Sequence, residues 1–348
     1  MITIQPAALA DFAGAILAAA GAPGDIAGRM AQSLVGANLA GHDSHGVIRI
    51  PQYLAEIERG QVDPAARPEV VREGPAWALV DGKWAFGQET ARFAMEQAIQ
   101  RAGPMGVGFA SAVHCNHIGR VGQWVEQAAA AEMVGAAGVA ITGGTATRVA
   151  PFGGAAGVLS TNPLAIAAPR TEGPPLLLDF ATSSVAEGKV RVAREKGVPL
   201  PEGCILDKNG HPTSDPNALY DGGVLLPFGG HKGYALAMMI EVLGIAVGGA
   251  DAAKGDHPGS CHGAFCLAIN PAVFRSIDGF QASVESLVER VKSVPPAPGF
   301  EEVLLPGEPE ARTRAEREGA ISLAPVTWQA VVEAGARLGV SAPAVAES

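Results

Sequence analysis

The stretch GHDSHGVIR, residues 41–49, gathers Asp43, Ser44, His45 and Arg49 in a chain of which only 17% of residues are charged. Histidine is the side chain whose ordinary pKa lies near neutrality, so His45 can give and take a proton at working pH. Arg49 carries a permanent charge on a planar fork that matches a carboxylate. On a helix, the four-residue step would put both on one face, so that Arg49 could hold a small acid while His45 reached an oxygen beside its carboxylate. That geometry fits a 2-oxo or 2-hydroxy acid. The same pair also fits a surface or capping role, with Asp43 and Ser44 as caps, so the rest of the chain has to decide.

The elements that would position this stretch are partly legible. Val47, Ile50, Leu54 and Ile57 recur at three- and four-residue steps, the apolar stripe of a buried helix, with Ser44 or Asp43 as its cap. Pro51 interrupts that pattern: either the helix kinks there, or it starts there and residues 43–49 form a turn leading into it. Upstream, Leu9, Phe12 and Ile16 mark a helix ending at Gly21, and a second helix runs to about Ala40. Residues 1–65 are expected to form a helical N-terminal unit packed with the C-terminal helix. Residues 66–348 are expected to form a large α/β unit.

In that second part, strand-like and helix-like runs alternate. The predicted strands are 78–80, 107–113, 134–141, 164–168, 176–180 and 265–269; the predicted helices are 89–101, 120–132, 186–195, 231–247, 281–292 and 327–338. The helix at 231–247 is the most apolar and is expected near the centre of the core.

Composition narrows the function classes. A chain of 348 residues with 48% hydrophobic residues, 45 glycines and 26 prolines describes a compact, turn-rich enzyme. A formal net charge of −10 argues against nucleic acid or an anionic membrane as partner. The N-terminus lacks a signal-peptide pattern, and four cysteines are expected as free thiols in a cytoplasmic protein.

Other residues could carry chemistry. A glycine-rich dinucleotide turn is missing, since GVGFAS at 106–111 lacks the third glycine and precedes its strand. His257, Cys261, His262 and Cys266 raise a zinc reading, hence a zinc-dependent hydrolase, although Cys266 sits in an apolar run; the site expected has no metal. Asp179 ends an apolar run, either as a cap or as an acid at a pocket rim. Lys232 starts the apolar helix, as a surface lysine or beside an anion. Arg312 and Arg314 are either a solvated face or a grip on the far phosphate of a dinucleotide.

Taken in order, DSHGVIR, NHIG, TNPLAIAAP, LDFATS, GGHKGYAL and LLPGE resemble the malate/L-lactate dehydrogenase family of NAD(P)-dependent 2-hydroxyacid oxidoreductases over the whole chain. AGHDSHG, HIGRVGQW, KGVPLPEGC and LLPGE resemble its hydroxycarboxylate dehydrogenase branch. The resemblance implies a non-Rossmann α/β fold with a mixed or largely antiparallel central sheet wrapped by helices, and a homodimer. It implies His45 as proton donor and acceptor, Ser44 as its partner, and Arg49 as the carboxylate clamp. Thr161, Glu187 and Gly188 would line the substrate pocket. His117, Ile118, Gly119, Arg120 and Val121, Asp179, Phe180 and Ala181, Gly230 and His231, and Gly307, Glu308, Pro309, Glu310, Ala311, Arg312 and Thr313 would hold the dinucleotide. The family also contains reductases of cyclic imino acids, the nearest alternative. NAD is favoured over NADP, although Arg120, Arg312 and Arg314 could each meet a 2′-phosphate. Glu187 would disfavour a second substrate carboxylate.

Overall fold

The computed structural model describes residues 1–142 and 147–347; residues 143–146 and 348, inside the expected 66–348 unit, lie outside the described residues. The chain opens with β1 (Ile2–Ile4), α1 (Pro6–Ala19) and α2 (Gly24–Leu39). Two short 3-10 turns, Asp43–His45 and Val47–Arg49, lead into α3 (Ile50–Glu58). Pro51 therefore sits in the first turn of its helix, where the missing N–H costs nothing, and residues 43–49 are a turn.

There follow β2 (Glu69–Gly74), β3 (Trp77–Asp81), α4 (Gly87–Met105), β4 (Val107–Cys115), α5 (Gly122–Ala130), β5 (Val134–Thr142), β6 (Leu164–Ala168), β7 (Leu176–Phe180) and α6 (Glu187–Lys196). Short strands β8 (Ile205–Leu206), β9 (Pro212–Thr213) and β10 (Val224–Leu225) precede α7 (His231–Glu241), α8 (Ala250–Ala253) and β11 (Cys261–Ile269). The chain closes with α9 (Ile277–Lys292), α10 (Glu308–Arg317), β12 (Ile321–Leu323), α11 (Pro325–Arg337) and β13 (Ala346–Glu347).

Among the described residues, the main sheet has seven strands in the order β2-β3-β4-β11-β5-β6-β7. β3 and β4 run parallel, and the other neighbours are antiparallel. β11 occupies the middle, and its near-continuous apolar run CHGAFCLAI suits a strand covered on both faces. On one side α4 and α5 pack through Ala91, Ala94, Met95, Ala98 and Val125. A separate core joins the N-terminal helices to the C-terminal end, where Leu9, Ile16, Met30, Leu34, Ile50 and Tyr53 meet Ile321, Leu323, Trp328 and Val331.

Three expectations require correction. Among the described residues the fold is α/β, a seven-stranded mixed sheet with helices plus two three-stranded sheets, and the expectation of a fold defined as non-Rossmann is not carried forward. A missing glycine-rich turn reports on one phosphate-binding loop and does not define a fold. The N-terminal segment is not wholly helical, because β1 lies antiparallel between β12 and β13. Nor is the 231–247 helix central: α7 gives way to a π-turn at Val242–Ala246, and Met238, Met239, Val242, Leu243 and Val247 are 37–57% exposed. Its small residues Gly233 and Ala237, with Ile240, face inward, while Met238 and Met239 face out.

No helix among the described residues is long and apolar enough to cross a membrane.

Candidate active site

The two 3-10 turns are fixed by Asn38, which is 1% exposed at the end of α2. Its Nδ2 donates to Asp43 Oδ1 at 2.6 Å, and its Oδ1 accepts from Val47 N at 3.0 Å. Arg317 of α10 donates to both Asp43 carboxylate oxygens, at 2.8 and 3.1 Å. Asp43 is thus a structural anchor, and His45 projects from a segment tied at both ends.

Ser44 Oγ lies 3.2 Å from His45 Nδ1. Arg49 Nε donates to the Ser44 carbonyl at 2.6 Å, and Nη1 donates to Gln52 Oε1 at 2.6 Å. The guanidinium is therefore held on the residue next to the imidazole, with further N–H donors left for an anion. Burial, and after it Arg49, His42 and Arg120, pushes the His45 imidazole down to about 3, so it stands neutral at pH 7.

His117, at the start of the loop after β4, lies face to face with His45: the rings are 5° from parallel with centroids 5.5 Å apart. His117 meets the Tyr53 hydroxyl at 2.8 Å through Nδ1, and Gln88 Nε2 donates to the same hydroxyl at 2.7 Å. His262 of β11 stands edge-on to His117, with centroids 6.1 Å apart. Burial drives His117 well below its ordinary value and His262 to about 4, with Arg49 the next cause for both. Three imidazoles, His262 buried and His45 and His117 half-buried, are held neutral around one arginine.

The other expected substrate residues approach from α6 and the end of β6. A Cβ added to Gly188 would lie 3.4 Å from Ser44 Cβ, so the start of α6 abuts the turn. Glu187 accepts from the Tyr220 hydroxyl at 2.7 Å, and the Arg194 guanidinium lies 4.1 Å over the Tyr220 ring. The Thr161 carbonyl accepts from Thr182 N and Oγ1, just past β7.

Among the expected dinucleotide residues, Arg120 and Asp179 come together. Both side chains are under 10% exposed, Nη1 and Oδ2 are 3.9 Å apart, and Asp179 Oδ2 accepts from Gly122 N at 2.8 Å. A Cβ on Gly122 would lie 2.6 Å from both Arg120 Nη1 and Asp179 Oδ2, so the close approach requires glycine. Burial raises the Asp179 carboxyl, opposed by His42, Arg120 and the Gly122 amide. Arg120 Nη1 is buried with no hydrogen-bond partner among the described residues, a donor that an anionic oxygen such as that of a pyrophosphate would satisfy. These residues fit a dinucleotide.

The segment 307–313 forms the start of α10. Glu310 lies 3.6 Å from His42 Nε2, which links this helix to the His45 side, and a Cβ on Gly41 would lie 3.1 Å from Thr313 Cγ2. Gly307, Glu310, Ala311 and Arg314, with Glu126, Arg170 and Leu177, line a cavity of about 370 Å³. Glu308 and Arg312 are otherwise engaged: Glu308 with Lys292 and the Leu305 amide, Arg312 with Glu302. Gly230 and His231 sit at the start of α7 against Phe152, near the end of β7 through the Phe180–Phe228 ring contact, and no contact among the described residues joins them to His45.

The zinc residues do not converge. His257 stacks on Trp84 with ring centroids 3.4 Å apart, His262 faces His117, and no cluster of metal-ligating side chains occurs among the described residues. Sequence reasoning missed Tyr53 and Gln88. Tyr53 falls four residues after Arg49, a spacing that could have flagged it, whereas Gln88 offers no local signal.

A half-buried imidazole partnered by Ser44, a tethered arginine beside it and a buried arginine with one N–H group left without a hydrogen bond among the described residues fit a dehydrogenase-like site on an α/β scaffold. Residues 4–332 match the family described as malate/L-lactate dehydrogenase, and the chain belongs to that family. It is 37% identical over 334 residues to the L-lactate dehydrogenase of Cupriavidus necator, covering 94% of this chain and 95% of that one. It is 41% identical over 318 residues to hydroxycarboxylate dehydrogenase B of Escherichia coli strain K12, covering 89% and 87%. The solved structure of malate dehydrogenase from Pyrococcus horikoshii superposes with a TM-score of 0.88 at 31% identity, covering 98% and 97%. That likeness places the fold among α/β dehydrogenases and lends nothing to its description as non-Rossmann. The chain is accordingly an oxidoreductase that transfers a hydride between NAD(P)H and a 2-oxo or 2-hydroxy acid.

Proposed function

We propose that the substrate is a small 2-oxo monocarboxylic acid, reduced reversibly to its 2-hydroxy acid, with His45 as proton donor and acceptor. The observation that carries this reading is the tether between Arg49 Nε and the Ser44 carbonyl, which fixes the carboxylate clamp to the residue partnering His45 Nδ1. Nε2 of His45 is then the nitrogen that exchanges a proton with the substrate oxygen. Thr161, Glu187 and Gly188 line the rest of the pocket. The Glu187 carboxylate at its rim repels a second substrate carboxylate and admits neutral or hydroxylated side chains.

The bound dinucleotide supplies or accepts the hydride. Arg49 orients the acid so that its carbonyl oxygen meets His45, and Ser44 holds the imidazole in that orientation. An acid bound at Arg49 offsets one of the charges that lower His45, so His45 is more readily protonated with the acid in place.

The cofactor is inferred to be NAD. His117 to Val121, Asp179 to Ala181, Gly230, His231 and Gly307 to Thr313 are assigned to it. The arginines that could meet a 2′-phosphate are paired with carboxylates: Arg314 with Glu126 at 3.1 Å, Arg120 with Glu126, and Arg312 with Glu302 at 2.7 Å. Glu126 and Glu310 on the same cavity suit a ribose diol instead.

A homodimer is supported by the exposed apolar stripe of Met238, Met239, Val242, Leu243 and Val247, and a cytoplasmic setting by the four free cysteines. The shared core of the N-terminal helices and α11 supports a unit of residues 1–65 packed with the C-terminal helix against a larger unit, 66–348.

The test is titration of NADH and NADPH against the protein by fluorescence, followed by turnover of 2-oxo acids and cyclic imino acids. Turnover of a monocarboxylic 2-oxo acid with NADH is expected. Turnover confined to imino acids or to dicarboxylates would overturn the proposed substrate.

A further inference from the structure

Tyr53 and Gln88 lie outside the groups assigned above, yet both are almost fully buried, 2% exposed each, and they end on His117. The order of contacts is Gln88 Nε2 to Tyr53 Oη at 2.7 Å, then Tyr53 Oη to His117 Nδ1 at 2.8 Å. An amide nitrogen can only donate. A phenol has one hydrogen, so a Tyr53 oxygen that accepts from Gln88 directs its own O–H at His117 Nδ1. Nδ1 must then be the acceptor nitrogen, and the ring proton must sit on Nε2. Gln88 Oε1, the group that could reverse this order, is buried and has no partner among the described residues.

The consequence lies across the ring stack. His117 is parallel to His45 at 5.5 Å, and the charged or titratable groups facing the pair are Arg49 from the second 3-10 turn, His42 and Arg120 on the His45 side, and His262 from β11. Among the described residues, the groups that shift either ring include no carboxylate. A second proton on His117 would put a cation face to face with His45 and compete with it for the proton of the reaction. A chain that offers His117 Nδ1 a donor, and no acceptor, disfavours that state and leaves the proton to His45.

We propose that Gln88 and Tyr53 form a directional hydrogen-bond chain that holds His117 as the neutral Nε2–H tautomer against the face of His45, and that both are positioning residues for the proton transfer. The part concerning His45 rests on its assignment above as the proton donor; the tautomer of His117 does not.

The experiment separates the two. The ligand-free protein, labelled with 15N in histidine and with His117 assigned by comparison with His117→Asn, is read by NMR near pH 7. His117 Nδ1 is expected at the shift of an unprotonated, hydrogen-bonded nitrogen and Nε2 at that of a protonated one. In Gln88→Glu the carboxylate accepts from Tyr53, the chain runs the other way, and the two shifts are expected to exchange. Tyr53→Phe should leave His117 as a tautomer mixture. In turnover, Gln88→Glu should move the midpoint of the kcat/KM pH profile by about one unit, and Tyr53→Phe should lower kcat about 5- to 10-fold with KM within about twofold, the size of one lost hydrogen bond acting in the transition state. A protonated Nδ1 on His117 in the wild type overturns the chain itself. The expected tautomers with a Gln88→Glu pH profile superimposable on the wild type overturn the positioning role and leave the chain as a fold element.

Discussion

Asn38 fills the space that a side chain on residue 46 would need: a Cβ built on Gly46 would lie 2.2 Å from Asn38 Oδ1, and that oxygen accepts from Val47 N at 3.0 Å. The pair pins the turn that carries His45. Gly46→Ala is expected to expel the Asn38 amide, destabilise the fold by about 1–3 kcal/mol as overpacked substitutions do, and lower kcat/KM at least tenfold. Asn38→Ala should cost about 1–3 kcal/mol by leaving the buried Val47 amide without a partner. Thermal unfolding and turnover measured together check this, and a Gly46→Ala protein with unchanged Tm and activity would disprove the pinning.

His45 is assigned the proton, so His45→Ala should lower turnover by about 10²–10⁴-fold, the usual contribution of a general acid–base group. Dinucleotide binding should survive, because the Arg120–Asp179 contact is anchored on the Gly122 amide and does not involve the imidazole. Turnover within about threefold of wild type would end the role of His45.

The candidate stretch stood out because His45 and Arg49 are unusual residue types at a meaningful spacing, and Pro51 announced the helix start within one residue of Ile50. The Arg120–Asp179 pair was recoverable only through family resemblance, because 59 residues separate two side chains that meet through strand order. Gln88 was invisible: its partner Tyr53 is 35 residues away and the contact exists only once α3 packs on α4. The apolar 231–247 run misled because hydrophobic content does not say which side of a helix meets the core: Gly233, Ala237 and Ile240 are buried while Met238 and Met239 are exposed. α10 was legible in hindsight, since Pro309 sits in its first turn, with Glu308 and Glu310 there and Arg314 and Arg317 in its last.

Binding of substrate should carry a proton with it. His45 is held neutral by burial and by Arg49, His42 and Arg120, and a carboxylate delivered to Arg49 relieves the second of these causes. Calorimetric titration of the dinucleotide-loaded protein with a non-reducible analogue such as oxamate, in buffers of different ionisation enthalpy near pH 7, should register net proton uptake. Zero uptake would mean that the proton of the reaction enters by another group.

Cofactor choice should respond to one carboxylate. Glu126 neutralises Arg120 and reaches Arg314 at 3.1 Å beside the cavity lined by Gly307 and Glu310. Glu126→Gln releases both cations while keeping side-chain volume, so the ratio of NADPH to NADH affinity should rise about tenfold, equivalent to about 1.4 kcal/mol. An unchanged ratio would place the 2′-position elsewhere.

The last prediction concerns acid. His45 and His262 have folded values near 3 and 4, and His117 is also lowered, all three chiefly by burial. A group whose folded pKa is depressed is protonated in the unfolded chain first, so between about pH 6.5 and 4 the unfolded state binds more protons and stability falls as pH falls. Each such histidine contributes roughly 1.4 kcal/mol per pH unit across that window. His262→Asn removes one of the three without touching the Arg49 tether, so its Tm should fall less steeply than that of the wild type from pH 6.5 to 4.5. The fitted proton uptake on unfolding at pH 5 should drop by about one. Parallel Tm profiles would mean that His262 is already charged in the folded protein, and that the ring facing His117 is a cation.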